Sequence, residues 1–144
     1  MLTLYTAGYQ GHTIETFLDL LGGHAIEHLI DVRQLPFSRK PDFSKKRLRA
    51  HLEAAGVGYS HIVGLGTPKP LRDEVRRTKD YAAFFAHMRT CLAEQGDALE
   101  EALALVRTRR CLLLCFEADP AACHRTVVAE ALQERARDLE VIHR

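Results

Sequence analysis

The sequence predicts an α/β fold built on a single doubly wound, mostly parallel five-stranded sheet flanked by helices, which is a Rossmann-like architecture. Strand-like segments alternate with segments of helical apolar spacing along the chain, a pattern typical of parallel α/β folds. Residues 111–116 are uninterruptedly apolar, as in a central strand covered on both faces. The length of 144 residues suits one domain spanning 1–144. Hydrophobic residues make up 47% and charged residues 27%, which excludes a disordered or fibrous chain.

The N-terminal half of the chain is expected to supply three strands and two helices. With their caps included, the strands are predicted over 2–6, 29–32 and 57–62, and the helices over 13–21 and 44–55. Thr13 and Ser44 can each accept a hydrogen bond from a free amide in the first turn of the helix that follows. Glycines directly follow both helices, as is common at helix ends.

The C-terminal half begins with a predicted loop over 63–78, because its glycines and prolines interrupt regular structure. Two helices are expected next, one over 80–94 and one capped by Asp97. The apolar strand over 111–116 follows. A final helix with Pro120 in its first turn runs to about residue 137, and a short strand over 139–142 closes the fold.

The order of the strands depends on the crossovers. The longest connection follows strand three, which favours the order 3-2-1-4-5 with strands one and four side by side at the switch point. A flavodoxin-like order, 2-1-3-4-5, is the alternative.

Polar side chains cluster after strand one, at the end of strand two and after strand four. Open α/β sheets bind ligands at this carboxyl edge, so we expect one cleft to collect these side chains. The candidate catalytic residues are Asp31 and Glu117, as general base or nucleophile, and His124, as acid or base. The candidate substrate-binding residues are Tyr9, as a positioning hydroxyl or stacking surface, and Arg33, Arg39 and Arg125, as an anion clamp.

A structural interpretation competes with the catalytic one. Arg125 can pair with Glu117 or Asp31, and Cys123 can pack against the sheet. The four cysteines are expected to be reduced, with Cys115 and Cys123 not joined, because a cytosolic chain of this size needs no disulfide.

Cys115, Cys123 and His124 carry atoms that can bind zinc, but the sequence does not predict a zinc site there. Adjacent residues at the start of a helix point in different directions, and no fourth ligand is evident. The chain contains neither GxGxxG nor a P-loop. Cysteine phosphatases space their cysteine and arginine six positions apart, whereas Arg125 follows the two cysteines by ten and by two positions. The sequence therefore names no metal and no cofactor.

Charge is distributed unevenly along the chain. Residues 33–49 carry a net charge of +6, whereas the chain as a whole carries +1. Such a segment either forms a solvated helix face or attracts an anion. The first function class is therefore an enzyme, a hydrolase or transferase, acting on a phosphate-bearing substrate such as a nucleotide or nucleic acid. The alternative is a non-catalytic module that binds nucleic acid or a phospholigand, and a structural or regulatory role is the third class.

The polar clusters also resemble the motifs of a known family. The matching segments are Gly8-Tyr9-Gln10-Gly11, Asp31-Val32-Arg33, Gly58-Tyr59 and the run from Cys115-Phe116-Glu117 to Cys123-His124-Arg125. Together they resemble the domain of unknown function 488 family over nearly the whole chain. The resemblance implies the fold and the clustering of the motifs, and it implies no activity.

Neither a signal peptide nor an apolar run of about 20 residues is present in the sequence. We therefore expect a cytoplasmic protein without membrane contact. Its expected partner is an anionic small molecule or nucleic acid.

Overall fold

The sheet is built from five short, largely apolar segments that a computed structural model, describing residues 2–144, shows to be all parallel. The strands are β1 (Leu2–Gly8), β2 (His28–Asp31), β3 (Gly58–His61), β4 (Cys111–Cys115) and β5 (Leu139–His143). Their order is β3-β2-β4-β1-β5. The predicted α/β class with one parallel five-stranded sheet is confirmed.

The predicted strand order 3-2-1-4-5 is wrong, as is the flavodoxin-like alternative. β4 lies between β2 and β1 and pairs with both. Every residue of β4 is buried, whereas the first two residues of β1 are half-buried. The more apolar strand therefore takes the central position, where cover on both faces is most complete. The predicted adjacency of strands one and four is nevertheless confirmed.

Six helices cover the two faces of this sheet within residues 2–144. They are α1 (Ile14–Gly23), α2 (Lys45–Ala54), α3 (Lys69–Thr78), α4 (Tyr81–Ala93), α5 (Gly96–Thr108) and α6 (Arg125–Arg135). Phe17 and Leu48 of α1 and α2 pack on one face of the sheet. Met88 and Leu103 of α4 and α5, together with side chains of α6, pack on the other. No helix within these residues is long and apolar enough to cross a membrane.

Helix starts follow local chemistry, with two exceptions. The Thr13 side chain accepts from the Thr16 amide at 3.1 Å and completes a reciprocal capping box. Ser44 occupies the cap position of α2 without capping it, because its hydroxyl accepts from the Ser38 amide at 3.0 Å and donates to the Ser38 carbonyl. Asp97 lies in the first turn of α5 and is not its cap, because that helix already begins at Gly96.

The predicted loop over 63–78 is wrong, because this segment contains α3 and, before it, a short 3-10 turn at Val63–Leu65. Pro68 and Pro70 lie at the start of α3. Proline is favourable there, since the first amides of a helix have no partner within the helix and the proline ring presets φ. Pro68 and Pro70, which predict an interruption of regular structure, therefore lie where a helix begins.

The final helix also differs from the prediction. Pro120–Ala122 forms a separate 3-10 turn, and α6 begins only at Arg125 and ends at Arg135. Cys123 between them is extended, with φ −128° and ψ 137°. This break in the helix determines where the side chains at 123 and 124 point.

Candidate functional site

A cleft of about 610 Å³ opens at the carboxyl edge of the sheet. Four of the residues predicted to share one cleft line it: Tyr9, Arg33, Glu117 and His124. Asp31 and Arg125 are fully buried and do not line it. Arg39 is exposed and also lies outside the lining. The structure therefore brings together part of the predicted set, with two of the others buried in the protein.

Asp31 and Arg33 form a buried, closed ion pair at the end of β2. The Arg33 side chain donates from Nε to Asp31 Oδ1 at 2.9 Å and from Nη2 to Asp31 Oδ2 at 2.7 Å. The Arg33 amide also donates to Oδ1, and the Tyr59 hydroxyl donates to Oδ2 at 2.6 Å. Both carboxylate oxygens of Asp31 are thus occupied.

Other groups complete the surroundings of Arg33. Its Nη1 donates to the Phe43 carbonyl at 2.7 Å, and its guanidinium carbon lies 5.4 Å from the centre of the Tyr9 ring. Burial opposes the charge of Arg33, but the hydrogen bonds to Asp31 and its negative charge outweigh burial and raise the pKa of Arg33. Burial and the Asp31 charge also raise the pKa of Tyr59. Asp31, Arg33 and Tyr59 therefore form a rigid unit in which the charge of the carboxylate cancels that of the guanidinium.

Arg125 is fully buried and has no carboxylate partner within residues 2–144. Its Nη1 and Nη2 donate to the carbonyls of Glu117 and Ala118, the second at 3.2 Å, and its Nε donates to Thr6 Oγ1 at 3.1 Å. Through these contacts Arg125 holds the backbone of the loop after β4, and it is not among the residues that line the cleft.

The turn after β1 supports the same loop from the other side. A Cβ added at Gly8 would lie 1.7 Å from the Glu117 carbonyl oxygen, so only glycine fits there. The Gln10 amide donates to the Phe116 carbonyl at 2.8 Å, and Gln10 Oε1 accepts from the Ala118 amide at 3.0 Å. The Gly8–Gln10 segment therefore fixes the path of the chain at Glu117.

Cys115, at the end of β4, forms the floor of the cleft together with His124. Their Sγ and Nδ1 atoms are 3.3 Å apart, and His124 Nε2 lies 2.7 Å from the Val32 carbonyl, to which it donates. Nδ1 is then free to accept from the thiol or to bind an electrophile. Glu117 Oε2 lies 3.4 Å from the same sulfur. A thiol, an imidazole and a carboxylate thus meet at one point.

Burial and charge act in opposite directions within this group. Burial disfavours a charged His124, but its hydrogen bonds to Cys123 and to the Val32 carbonyl, together with the Glu117 charge, outweigh burial and raise its pKa. Burial, reinforced by the neighbouring Cys115, raises the pKa of the Cys123 thiol well above its usual value.

The expectation that Cys123 and His124 point in different directions is wrong. Because Cys123 is extended and α6 begins after it, its sulfur lies with Cys115 Sγ and a His124 ring nitrogen in one group. These three atoms all lie within 4.8 Å of one another. All four cysteines, Cys115 and Cys123 among them, are free thiols.

Sequence reasoning missed the cationic wall of the cleft. The wall comes from α3 and the residue after it, which contribute the four cations Lys69, Arg72, Arg76 and Lys79 together with one carboxylate, Asp73. Their spacing of three and four positions is the helical signal, and the assignment of 63–78 as a loop concealed it. The basic residues of α2 do not line the cleft. Two of them make exposed ion pairs instead, Arg47 with Asp42 and Arg49 with Glu53.

This arrangement has two chemical capabilities. The cationic wall can hold an anion, and the floor offers a carboxylate for proton transfer. The two sulfurs and the imidazole can also serve as ligands for a soft metal ion.

Comparison with protein families supplies one match. The family model described as "Domain of unknown function DUF488" matches residues 13–132. Comparisons with curated proteins and with solved structures give no match for this chain. The matched region includes the polar segments that end β2 and β4.

Proposed function

The chain belongs to the DUF488 family, whose description specifies no activity, and from its cleft we propose that it is an enzyme acting on a phosphate-bearing substrate such as a nucleotide. The observation that carries this proposal is the cleft of about 610 Å³, which is lined by the cations of α3 and by Glu117. A volume of this size is typical of a small-molecule site.

The α3 wall is the proposed phosphate site. Lys69 is paired with Asp73 at 2.9 Å, and Arg72 donates to the Gln34 side chain at 2.7 Å. Arg76 and Lys79 are exposed, and neither has an ion-pair partner within residues 2–144. These two cations are therefore the ones that remain available for an anionic ligand.

Apolar side chains at the rim support a substrate that also carries a flat ring. Leu35, Phe37 and Phe116 line the cleft although they are 63%, 69% and 43% exposed. Exposed aromatic rings beside cations are suited to stacking a nucleobase while its phosphates are held. A nucleotide accounts for both features of the cleft.

Glu117 is the proposed general acid or base. Glu117 lines the cleft, and its carboxylate makes no ion pair with an arginine within residues 2–144. The other predicted catalytic carboxylate, Asp31, is paired with Arg33. Asp31 and Arg125 serve as positioning residues, because their polar atoms are engaged inside the protein. His124 holds Cys115 through Nδ1 and Val32 through Nε2, so it too positions other groups. Arg39 has no role in this proposal.

Binding is tested by titrating labelled mononucleotides and single-stranded and duplex oligonucleotides across a salt series. Arg76→Gln/Lys79→Gln should weaken nucleotide binding about tenfold. It should also make the salt slope for oligonucleotides shallower by about 0.7 to 0.9 for each lost contact. Lys45→Gln/Lys46→Gln on α2 removes the same charge away from the cleft and should leave binding unchanged. Equal effects of the two variants would contradict the α3 site.

Turnover is tested by incubating the protein with a panel of phosphate-bearing nucleotides and following products by phosphorus NMR. Glu117→Gln should abolish product formation and retain nucleotide binding, because it keeps the shape of the side chain and removes the proton-transferring group. A non-catalytic binding module is the second candidate, favoured by the exposed aromatic rim. It predicts binding without product in the wild type, and that outcome would replace the enzyme proposal.

A further inference from the structure

We propose that Cys115, Cys123 and His124 form a binding site for a zinc ion whose remaining coordination position faces the cleft. The three ligand atoms, two sulfurs and a ring nitrogen, lie within 4.8 Å of one another. A tetrahedral zinc ion holds such atoms about 3.5 to 3.8 Å apart, given Zn–S of about 2.3 Å and Zn–N of about 2.0 Å. The Cys115 Sγ to His124 Nδ1 distance of 3.3 Å is already close to this spacing.

The surroundings of His124 fit a metal ligand. Its Nε2 donates to the Val32 carbonyl at 2.7 Å, which directs Nδ1 toward the two sulfurs. Histidines that bind metals through one ring nitrogen almost always donate the other N–H to a carbonyl or carboxylate. His124 is 6% exposed, so its ring is held in this orientation by the protein around it.

The ligand types select the ion. Thiolates favour zinc and other soft or borderline ions over magnesium and calcium, which prefer oxygen. Two thiolates and one neutral imidazole also balance the charge of a divalent ion. The three side chains are buried, and a divalent ion would supply the counter-charge that two buried thiolates need.

The proposed zinc site adjoins the cleft in which the substrate is proposed to bind. Cys115 and His124 line the cleft, as does Glu117, whose Oε2 lies 3.4 Å from Cys115 Sγ. Three protein ligands with one open position are typical of catalytic zinc, whereas structural zinc has four. The catalytic use of the ion rests on the function proposed above. Its binding does not, so the zinc and nucleotide titrations can fail independently.

The first test is a metal titration of the wild-type chain. The protein is stripped with a chelator and titrated with Zn²⁺ against a chromophoric competitor, and X-ray absorption then identifies the ligand atoms. We expect one zinc per chain with a dissociation constant of about 10 nM or tighter and a mixed sulfur and nitrogen shell. Binding weaker than about 1 μM, or a shell without sulfur, would overturn the site.

Variants then identify the ligands through Co²⁺ substitution, which reports thiolate ligands by their charge-transfer absorption. Cys115→Ser and Cys123→Ala should each weaken metal binding at least about a hundredfold and alter this band. Cys111→Ser is the matched control, because Cys111 is equally buried on the same strand but lies outside the three-residue group. Circular dichroism verifies that each variant is folded. Unchanged Co²⁺ spectra in folded Cys115→Ser or Cys123→Ala would exclude the proposed ligands.

Discussion

The two polar segments that leave neighbouring strands β2 and β4 hold a buried arginine in different ways. In the β2 segment, residues 31–33, Arg33 is neutralised by a carboxylate two residues away. In the β4 segment, residues 116–125, Arg125 is held by two backbone carbonyls and a hydroxyl. The first segment pairs its arginine with its own carboxylate, and Phe43 and Tyr59 supply the remaining hydrogen bonds. The second uses its arginine to shape a loop, and its Glu117 and His124 line the cleft beside Cys115, the last residue of β4.

The two segments show that a buried arginine can be stabilised either by a carboxylate or by backbone carbonyls, and the choice affects the surrounding structure differently. A formal counter-charge gives a rigid neutral unit, and removing either partner leaves an unpaired ion. Aligned carbonyl dipoles spread the same interaction over the backbone, so the arginine fixes a loop path. In the β4 segment, Arg125 therefore holds the backbone at Glu117 and Ala118, and the Glu117 carboxylate is not used to neutralise it.

Asp31→Asn should have the largest effect, because it leaves Arg33 buried without a counter-charge. We expect the free energy of unfolding to fall by about 3 to 5 kcal/mol, measured by urea denaturation followed by circular dichroism. The double variant Asp31→Asn/Arg33→Met should lose less than the sum of the two single variants, since it removes both ions. A loss below about 1 kcal/mol for Asp31→Asn would mean that the pair behaves like a surface salt bridge.

Arg125→Met should destabilise the protein by about 3 kcal/mol, because three acceptors lose their donors while the side chain keeps its apolar length. Hydrogen exchange at the Ala118 amide should also accelerate as the loop loosens. Arg135→Met on the same helix is the matched control, since Arg135 makes an exposed pair with Glu100 at 2.8 Å. The control should change stability by less than about 0.5 kcal/mol. Similar losses in both variants would show that Arg125 does not organise the loop.

Tyr59→Phe tests the hydroxyl that donates to the carboxylate of the β2 segment. It removes the 2.6 Å hydrogen bond to Asp31 and retains the ring, so we expect a loss of about 1.5 to 2 kcal/mol in chemical denaturation. Tyr81→Phe, whose hydroxyl makes no hydrogen bond within residues 2–144, should be neutral. Neutral behaviour of Tyr59→Phe as well would mean that Arg33 alone satisfies Asp31.

Thr6→Val tests the smallest contribution, on the β4 side. Its hydroxyl accepts from Arg125 Nε at 3.1 Å and lies 2.6 Å from His143 Nδ1. Replacement by an isosteric valine should cost about 1 kcal/mol in thermal or chemical unfolding, because Arg125 keeps its two carbonyl partners. A loss equal to that of Arg125→Met would assign the whole effect of the arginine to this hydroxyl.

The sequence predicts the fold class and the edge of the sheet that carries the site, because strand and helix periodicity are local properties. It does not predict that β4 separates β1 from β2, since strand pairing is decided by tertiary burial. It also misses α3, because Pro68 and Pro70 look like helix breakers until their position in the first turn is known.

The sequence predicts several of the residues that line the cleft, but it does not predict the orientation of every side chain near it. Tyr9, Glu117 and His124 are identified from their places after strands, and all three line the cleft. The inward orientation of Arg125 depends on the path of the loop at 117–118, which local pattern does not determine. The convergence of Cys123 with Cys115 likewise depends on one extended residue between two helical turns.

The strand order also has a consequence for how the chain folds during synthesis. β1 emerges first from the ribosome, yet its neighbours in the sheet are β4 and β5, which begin at Cys111 and Leu139. β2 and β3 can pair early, but β1 must wait for the C-terminal third of the chain, and such non-local pairing slows folding. Until then the unpaired backbone groups along both edges of β1 are open to other chains. Nascent chains arrested before Cys111 should therefore depend most strongly on chaperones, and release of that dependence should coincide with the emergence of β4.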